Sequence, residues 1–113
     1  MPKRGTEEFL YGILESLKRI DGYMKGKSFQ ELLRNTMIQD AVIRNLEIIG
    51  EAAKNISSEF KKKHSEVEWK KFSGMRDKII HFYFGVNWEI VWDVIRHKLP
   101  ILKRKMELIL KHR

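Results

Sequence analysis

Apolar residues return along this chain at intervals of three and four, the period of amphipathic helices. Phe9, Ile13, Leu14, Leu17 and Ile20 trace one face of a first helix, with Thr6 placed to cap it, Glu7 and Glu8 in its positive first turn, and Gly22 and Gly26 at its end. Ser28 followed three residues later by Glu31 is a capping box that opens a short turn through Leu32 and Leu33. Asn35 then caps a long helix from about Thr36 to Ser57, along which Ile38, Val42, Leu46, Ile49, Ala53 and Ile56 form a continuous stripe. Ile43, Ile48 and Ala52 widen that stripe beyond what one partner helix needs, which predicts a central place in a bundle together with contact to a second subunit. Gly50 inside this helix costs ~1 kcal/mol relative to alanine and marks either close approach by a neighbouring backbone or side chain or a tolerated glycine on the exposed side. Asn45 falls within the stripe, where its amide needs a partner; it either ties two helices together or reaches a neighbouring functional group.

Beyond Ser57 come Lys61-Lys62-Lys63-His64 and then Trp69-Lys70-Lys71-Phe72. The lysines are candidate contacts for a polyanion, and the two rings read as anchors that pin a charged loop to the core. Ser73 is placed to cap a helix carrying Gly74 to Phe84, which Gly85 would end in a left-handed cap. Asn87 caps the next helix, with Val86 and Val91 set as a hydrophobic staple and Trp88, Trp92, Val94, Ile95 and Leu99 supplying core area. Pro100 breaks or restarts it, and Ile101, Leu102, Met106, Ile109 and Leu110 finish the core. The pattern predicts an all-α, up-and-down bundle of four to five helices without strands, as a single domain over residues 1–113, with homodimerisation through the wide stripe.

Composition narrows the function. A chain of 113 residues buries roughly 65% of its unfolded surface, enough for one core without staples. Lys and Arg number 23 against 15 Asp and Glu, and a formal charge of +8 favours polyanionic partners, nucleic acid first among them. The absence of cysteine excludes disulfides, thiolate metal sites and cysteine nucleophiles, and agrees with a reducing cytoplasm. No apolar run reaches the ~20 residues of a membrane span, and residues 1–8 lack the apolar core of a signal peptide, so a cytoplasmic protein is expected. Asp40, Arg44, Glu47 and Glu51 share the polar side of the long helix; Arg44 is a ready counter-ion there, so they read as a solvated charge ladder rather than a metal or acid–base site. His64, His81, His97 and His112 form no pair at metal-ligand spacing, and no glycine-rich phosphate loop occurs; neither metal nor cofactor is expected.

The chemistry concentrates in Gly74-Met75-Arg76-Asp77-Lys78-Ile79-Ile80-His81-Phe82-Tyr83-Phe84, which sets Arg76, His81 and Tyr83 within eight residues. Arginine offers a planar charged fork that fits two phosphate oxygens and stabilises charge built up on phosphorus. Histidine, with an unperturbed pKa of about 6.5, moves protons to and from oxygen near neutral pH. The pair suffices to cleave RNA without metal, because each phosphate lies beside a 2′-hydroxyl nucleophile; DNA lacks it. On one regular helix Arg76 and Tyr83 nearly eclipse while His81 points about 140° away from Arg76, so convergence requires a curled arginine, a loosened helix before Gly85, or two copies facing each other across a two-fold axis.

The segment Gln39-Asp40-Ala41-Val42-Ile43-Arg44-Asn45-Leu46-Glu47-Ile48-Ile49-Gly50-Glu51-Ala52-Ala53-Lys54, the stretch Gly74 to His81 with Tyr83-Phe84, and Glu89-Ile90-Val91-Trp92 through Leu99-Pro100 closely resemble the HepT branch of the HEPN domain family. The likeness runs from about Gly22 onward. It implies a dimeric HEPN-type helical bundle in which the Arg/His motifs of both subunits line one cleft and cut RNA without metal. It further implies a toxin of a type VII HEPN/MNT toxin–antitoxin system, silenced when a small MNT-type nucleotidyltransferase antitoxin transfers AMP onto the motif tyrosine. Carried over by position, Arg76 would bind the scissile phosphate, His81 would transfer protons, and Tyr83 would position RNA and receive AMP, with Asp77 and Asn45 in support. Lys61, Lys62, Lys63, Lys70, Lys71 and Lys78 are the candidate RNA contacts. Phe82 departs from the family pattern, where glycine is frequent, and its ring would narrow the cleft. The alternative is a non-catalytic subunit that complexes the transferase and helps bind nucleotide or substrate. A DNA-binding bundle is less consistent, since no helix-turn-helix pattern stands out.

Overall fold

Side-chain caps at Ser28, Asn35, Ser57 and Asn87 open four of the helices. The computed structural model describes residues 5–81 and 85–112, and at Arg76, Ile80 and His81 the backbone alone. Helix α1 (Thr6–Met24) starts without a side-chain cap: Gly5 occupies its N-cap, and Thr6 is already helical. Gly22 lies inside α1, whereas Gly26 takes φ +72 just beyond it and turns the chain. The expected capping box opens α2 (Phe29–Arg34): the Glu31 backbone N–H donates to Ser28 Oγ at 3.1 Å, and Ser28 N–H donates to Glu31 Oε1 at 3.0 Å. Asn35 closes α2 and caps α3 (Thr36–Asn55), its Oδ1 accepting from Ile38 N–H at 3.0 Å. The long helix stops short of Ser57, because Ile56 is extended and Ser57 caps the separate helix α4 (Ser58–Lys63).

The capping box predicts a pH effect. The Ser28 backbone N–H, its hydroxyl and nearby Lys27 hold the Glu31 carboxyl below the ordinary glutamate range. A depressed folded-state value stabilises the fold fully above the unfolded value, and that contribution is lost as pH falls through the folded one. Glu31→Gln is therefore expected to flatten the acid limb of the stability–pH curve and leave it unchanged at high acidity. Denaturant midpoints across that range check this.

The largest difference from the expected helices falls on the central stretch. Ser73 does not cap; it ends α5 (Trp69–Ser73), and its hydroxyl donates to Lys70 O at 3.1 Å. Gly74 separates α5 from α6 (Met75–Ile79), which is a single short turn. After Ile79 the chain leaves the helix and forms an antiparallel pair, β1 (Ile80–His81) with β2 (Gly85–Val86), placing Ile80 opposite Val86 and His81 opposite Gly85. The Asn87 N–H closes the base of the pair by donating to Ile79 O at 2.9 Å. Two causes act together: β-branched Ile79 and Ile80 favour extended backbone, and Gly85, at φ +80, opens the second strand instead of ending a helix.

Asn87 also caps α7 (Trp88–Asp93), its Oδ1 accepting from Ile90 N–H at 3.2 Å. A π turn over Val94–Lys98 links α7 to α8 (Leu99–Lys111), and the Leu99 N–H reaches back five residues to Val94 O. Pro100 thus restarts a helix rather than ending one. It lacks the N–H that would bond the carbonyl of Arg96, and its ring crowds that carbonyl, so the backbone widens one turn before it.

These elements make an all-α bundle with α3 at its centre, packed against α1, α2, α5 and α6, while α8 lies along α1. The predicted stripe is the core: Val42, Leu46, Ile49, Ala53 and Ile56 are buried against Leu10, Ile13, Ile20 and Met106. Trp69 and Phe72 are buried too, and Trp69 Nε1 donates to His64 O at 2.9 Å, so both rings anchor the charged loop as expected. Of the two readings of Gly50, close approach holds, and the neighbour is the α5 backbone: a Cβ there would meet Phe72 O at 3.1 Å. Gly50→Ala is therefore expected to destabilise by about 1–3 kcal/mol through overpacking. Its ~1 kcal/mol gain in helix propensity does not offset a clash with a backbone carbonyl. A fall in the urea midpoint is the readout.

Candidate functional site

Arg76 is the second residue of α6, and the two apolar residues that bracket that turn, Met75 and Ile79, are buried among core side chains. α6 packs on α3 and α7, so the backbone that carries the arginine is fixed from two sides. The His81 backbone is fixed differently, by pairing opposite Gly85. The motif therefore spans a junction between helix and hairpin, and the angle of about 140° computed for one regular helix does not apply, because the helix ends between the two residues. Phe82 and Tyr83 lie outside the described residues, as do the side chains of Arg76 and His81. Asp77 and Lys78 are exposed on α6.

Asn45 is 4% exposed, beneath the surface of α3. Its Nδ2 donates to Ala41 O at 2.9 Å, within its own helix, and among the described residues its Oδ1 has no partner. Among the described residues the amide thus does not tie two helices together, which corrects that expectation, and its acceptor in the core is unmet.

The lysine candidates divide. Lys62, Lys63 and Lys70 are exposed and Lys61 is half-buried on α4. Lys71 is exposed as well, yet its Nζ lies 2.7 Å from Glu68, and this hydrogen bond and charge hold the Glu68 carboxyl below its ordinary range. Glu66 is lowered as well, first by its own backbone N–H and then by His64. Beside this cluster, Lys105 Nζ donates to the Glu66 carbonyl.

The ladder of Arg44, Glu47 and Glu51 lines a groove of about 590 Å³ between α1 and α3, which Glu8 and Phe9 complete. Among the described residues no three His, Asp or Glu side chains gather as metal ligands would. A second groove, of about 520 Å³, runs between the end of α1 and the π turn with the start of α8. It unites Lys25 and Lys27 with Arg96, Lys103 and Arg104, residues some seventy positions apart in sequence that no local motif connects. Only the packing of α8 along α1 reveals it.

Arg76 and the His81 backbone thus sit at a helix-to-hairpin junction of a small helical bundle, in a basic chain. The chain belongs to the family described as "Ribonuclease HepT-like", whose profile matches residues 13–109. It is 45% identical over 111 residues to a "Putative RNase" of Methanocaldococcus jannaschii, covering 98% of this chain and 92% of that protein. It is 41% identical over 109 residues to a "Probable ribonuclease HepT" of Thermococcus cleftensis, covering 96% of this chain and 99% of the relative. A "Putative RNase" of Caldanaerobacter subterraneus is 44% identical over 103 residues, covering 91% and 92% of the two chains. No solved structure matches the chain. Among the described residues, no helix is long and apolar enough to cross a membrane.

Proposed function

We propose that this protein is a metal-independent endoribonuclease, the toxin of a type VII HEPN/MNT pair, acting as a cytoplasmic homodimer of single-domain chains. Its cleft would be formed by the Arg/His motifs of two subunits. The observation that carries the reading is the intact Arg76, His81 and Tyr83 spacing within a chain of the HepT-like ribonuclease family.

In this mechanism Arg76 grips two non-bridging oxygens of the scissile phosphate and stabilises the charge that grows on them. His81 takes the proton of the 2′-hydroxyl; that oxygen attacks phosphorus, the bond to the 5′-oxygen breaks, and the leaving oxygen receives a proton from the second subunit's imidazole or from water. The products are a 2′,3′-cyclic phosphate and a free 5′-hydroxyl. Asp77 and Asn45 support the arginine and the cleft, and Lys61, Lys62, Lys63, Lys70, Lys71 and Lys78 hold the strand by charge.

Tyr83 is the regulatory point. AMP transferred by an MNT-type nucleotidyltransferase antitoxin adds a phosphodiester's negative charge and an adenosine's bulk seven residues from Arg76, where substrate phosphate would otherwise bind. Co-expression with the transferase is expected to restore growth that the chain alone arrests, with intact-mass spectrometry showing one added AMP. Tyr83→Phe should remain unmodified. Growth arrest relieved by the transferase without any mass change would count against silencing at Tyr83.

Phe82 favours one second reading, a non-catalytic subunit bound to the transferase, since its ring stands where glycine is frequent in the family. Purified protein that leaves RNA intact yet binds the transferase tightly would select it.

A further inference from the structure

Two grooves of similar size flank α1, and their charges are opposite. The one against α3 presents, among the described residues, Glu8, Glu47 and Glu51 with Arg44. The one against the π turn presents Lys25, Lys27, Arg96, Lys103 and Arg104 with two carboxylates, Asp21 and Glu107. A chain of net charge +8 could spread its cations evenly over the surface. Here five converge on one concavity. Lys103 stands 3.6 Å from Asp21, and Lys27 lies beside Glu31, so Lys25, Arg96 and Arg104, all exposed, carry most of the uncompensated charge.

The groove is also built to receive a flat ring. Its floor is buried and apolar, from Leu17, Ile20, Met24 and Leu99. Its wall is half-buried Trp92, which packs against Phe29 at 5.6 Å and carries the Arg96 guanidinium 5.5 Å from its ring centroid. A guanidinium held over an aromatic face is a platform on which a base can stack. The π turn contributes Ile95 and Arg96 to this wall, and Gly26 at φ +72 turns the chain so that Lys25 and Lys27 flank the rim.

We infer that this groove is a second RNA-strand subsite, binding a phosphodiester stretch of single-stranded RNA away from the bond that is cut, with a base against Arg96 and Trp92. The inference rests on the ribonuclease reading for its ligand. Charge alone would also suit an acidic protein surface. The concave shape, the apolar floor and the stacked guanidinium favour an unpaired strand, which can enter a slot that a folded surface only covers.

Binding to uncleavable 2′-O-methyl RNA, measured by fluorescence anisotropy over a salt series, tests this independently of catalysis. Arg96→Glu with Arg104→Glu is expected to weaken a long single strand roughly tenfold or more and to reduce the slope of log K against log salt by about 1.4, the equivalent of two phosphate contacts. The charge-matched control Lys18→Glu with Lys54→Glu, on exposed faces of α1 and α3, should change the slope much less. Arg104→Ala, a milder change at an exposed position, should shift binding in the same direction, and circular dichroism confirms that each variant is folded. Equal losses in the groove variant and the control, or unchanged RNA binding, overturn the proposal. Unchanged RNA binding with lost affinity for the transferase would overturn it in favour of an acidic protein partner. Failure of the ribonuclease reading shows separately, as wild-type protein that binds the uncleavable strand but never cuts its cleavable counterpart.

Discussion

His81→Ala is expected to slow RNA cleavage by about 10²–10⁴-fold, the usual contribution of a positioned general acid–base. Arg76→Ala should cost about 10²–10³-fold, as loss of one charge-stabilising donor does elsewhere. Both variants should stay folded, since α6 is anchored by Met75 and Ile79 and the hairpin by backbone pairing at Ile80, His81 and Asn87. Arg76→Lys should recover little, because a point charge on a flexible stem does not reproduce a two-pronged grip on phosphate. EDTA should leave the wild-type rate unchanged, and the products should carry cyclic phosphate ends. A residual rate in His81→Ala close to wild type, or cleavage that stops on chelation, would refute the mechanism. The combined variant should be barely worse than either alone if the two side chains act on one transition state, since residues that work as a unit are not additive.

The second large effect concerns stability. Asn45→Leu is expected to raise the unfolding free energy by about 1–3 kcal/mol, because it removes a buried acceptor that has no partner among the described residues and replaces it with an apolar group of similar shape. The Ala41 carbonyl that accepts from Nδ2 lies one turn back in the same helix, so the lost side-chain bond leaves an acceptor that the helix backbone still serves. Leucine also has the better helix propensity. If Asn45 supports the cleft as proposed, the same variant should cut RNA more slowly while melting at higher temperature, the pattern expected when a costly polar group is kept for function. A lower denaturation midpoint would instead show that Oδ1 contributes to the fold.

Much of this molecule could be read before its structure. The stripe of α3, the capping box at Ser28, the caps at Asn35 and Asn87, and the crowding at Gly50 are local or periodic signals, and each appears where the residues placed it. The central stretch misled because the cap-like Ser73, Asp77 and Gly85 agree with one long helix, while β-branched Ile79 and Ile80 favour the strand pairing that begins at Ile80. The π turn was hidden because Pro100 signals a disturbed helix without specifying its form. Of the site, Arg76, His81 and Tyr83 were visible as a motif, and family membership gives them their context. The basic groove was invisible for a different reason: Lys25 and Arg104 become neighbours only through tertiary packing, and no spacing rule links them.

The widened turn at Val94–Lys98 holds one residue more than a regular helix would need to join the same two ends. Deleting one residue there should let α7 and α8 merge in phase, with Met106 and Ile109 still facing inward. The same deletion within α8 would swing everything beyond it by about 100° and bring apolar residues to the surface. Pro100 opposes a seamless merger, so the shortened chain would need Pro100→Ala as well. Such a chain would keep its interior and lose the widened turn that sets Arg96, so descendants of this protein could reshape one surface through two codon changes, the deletion and Pro100→Ala, while leaving the rest of the scaffold in register.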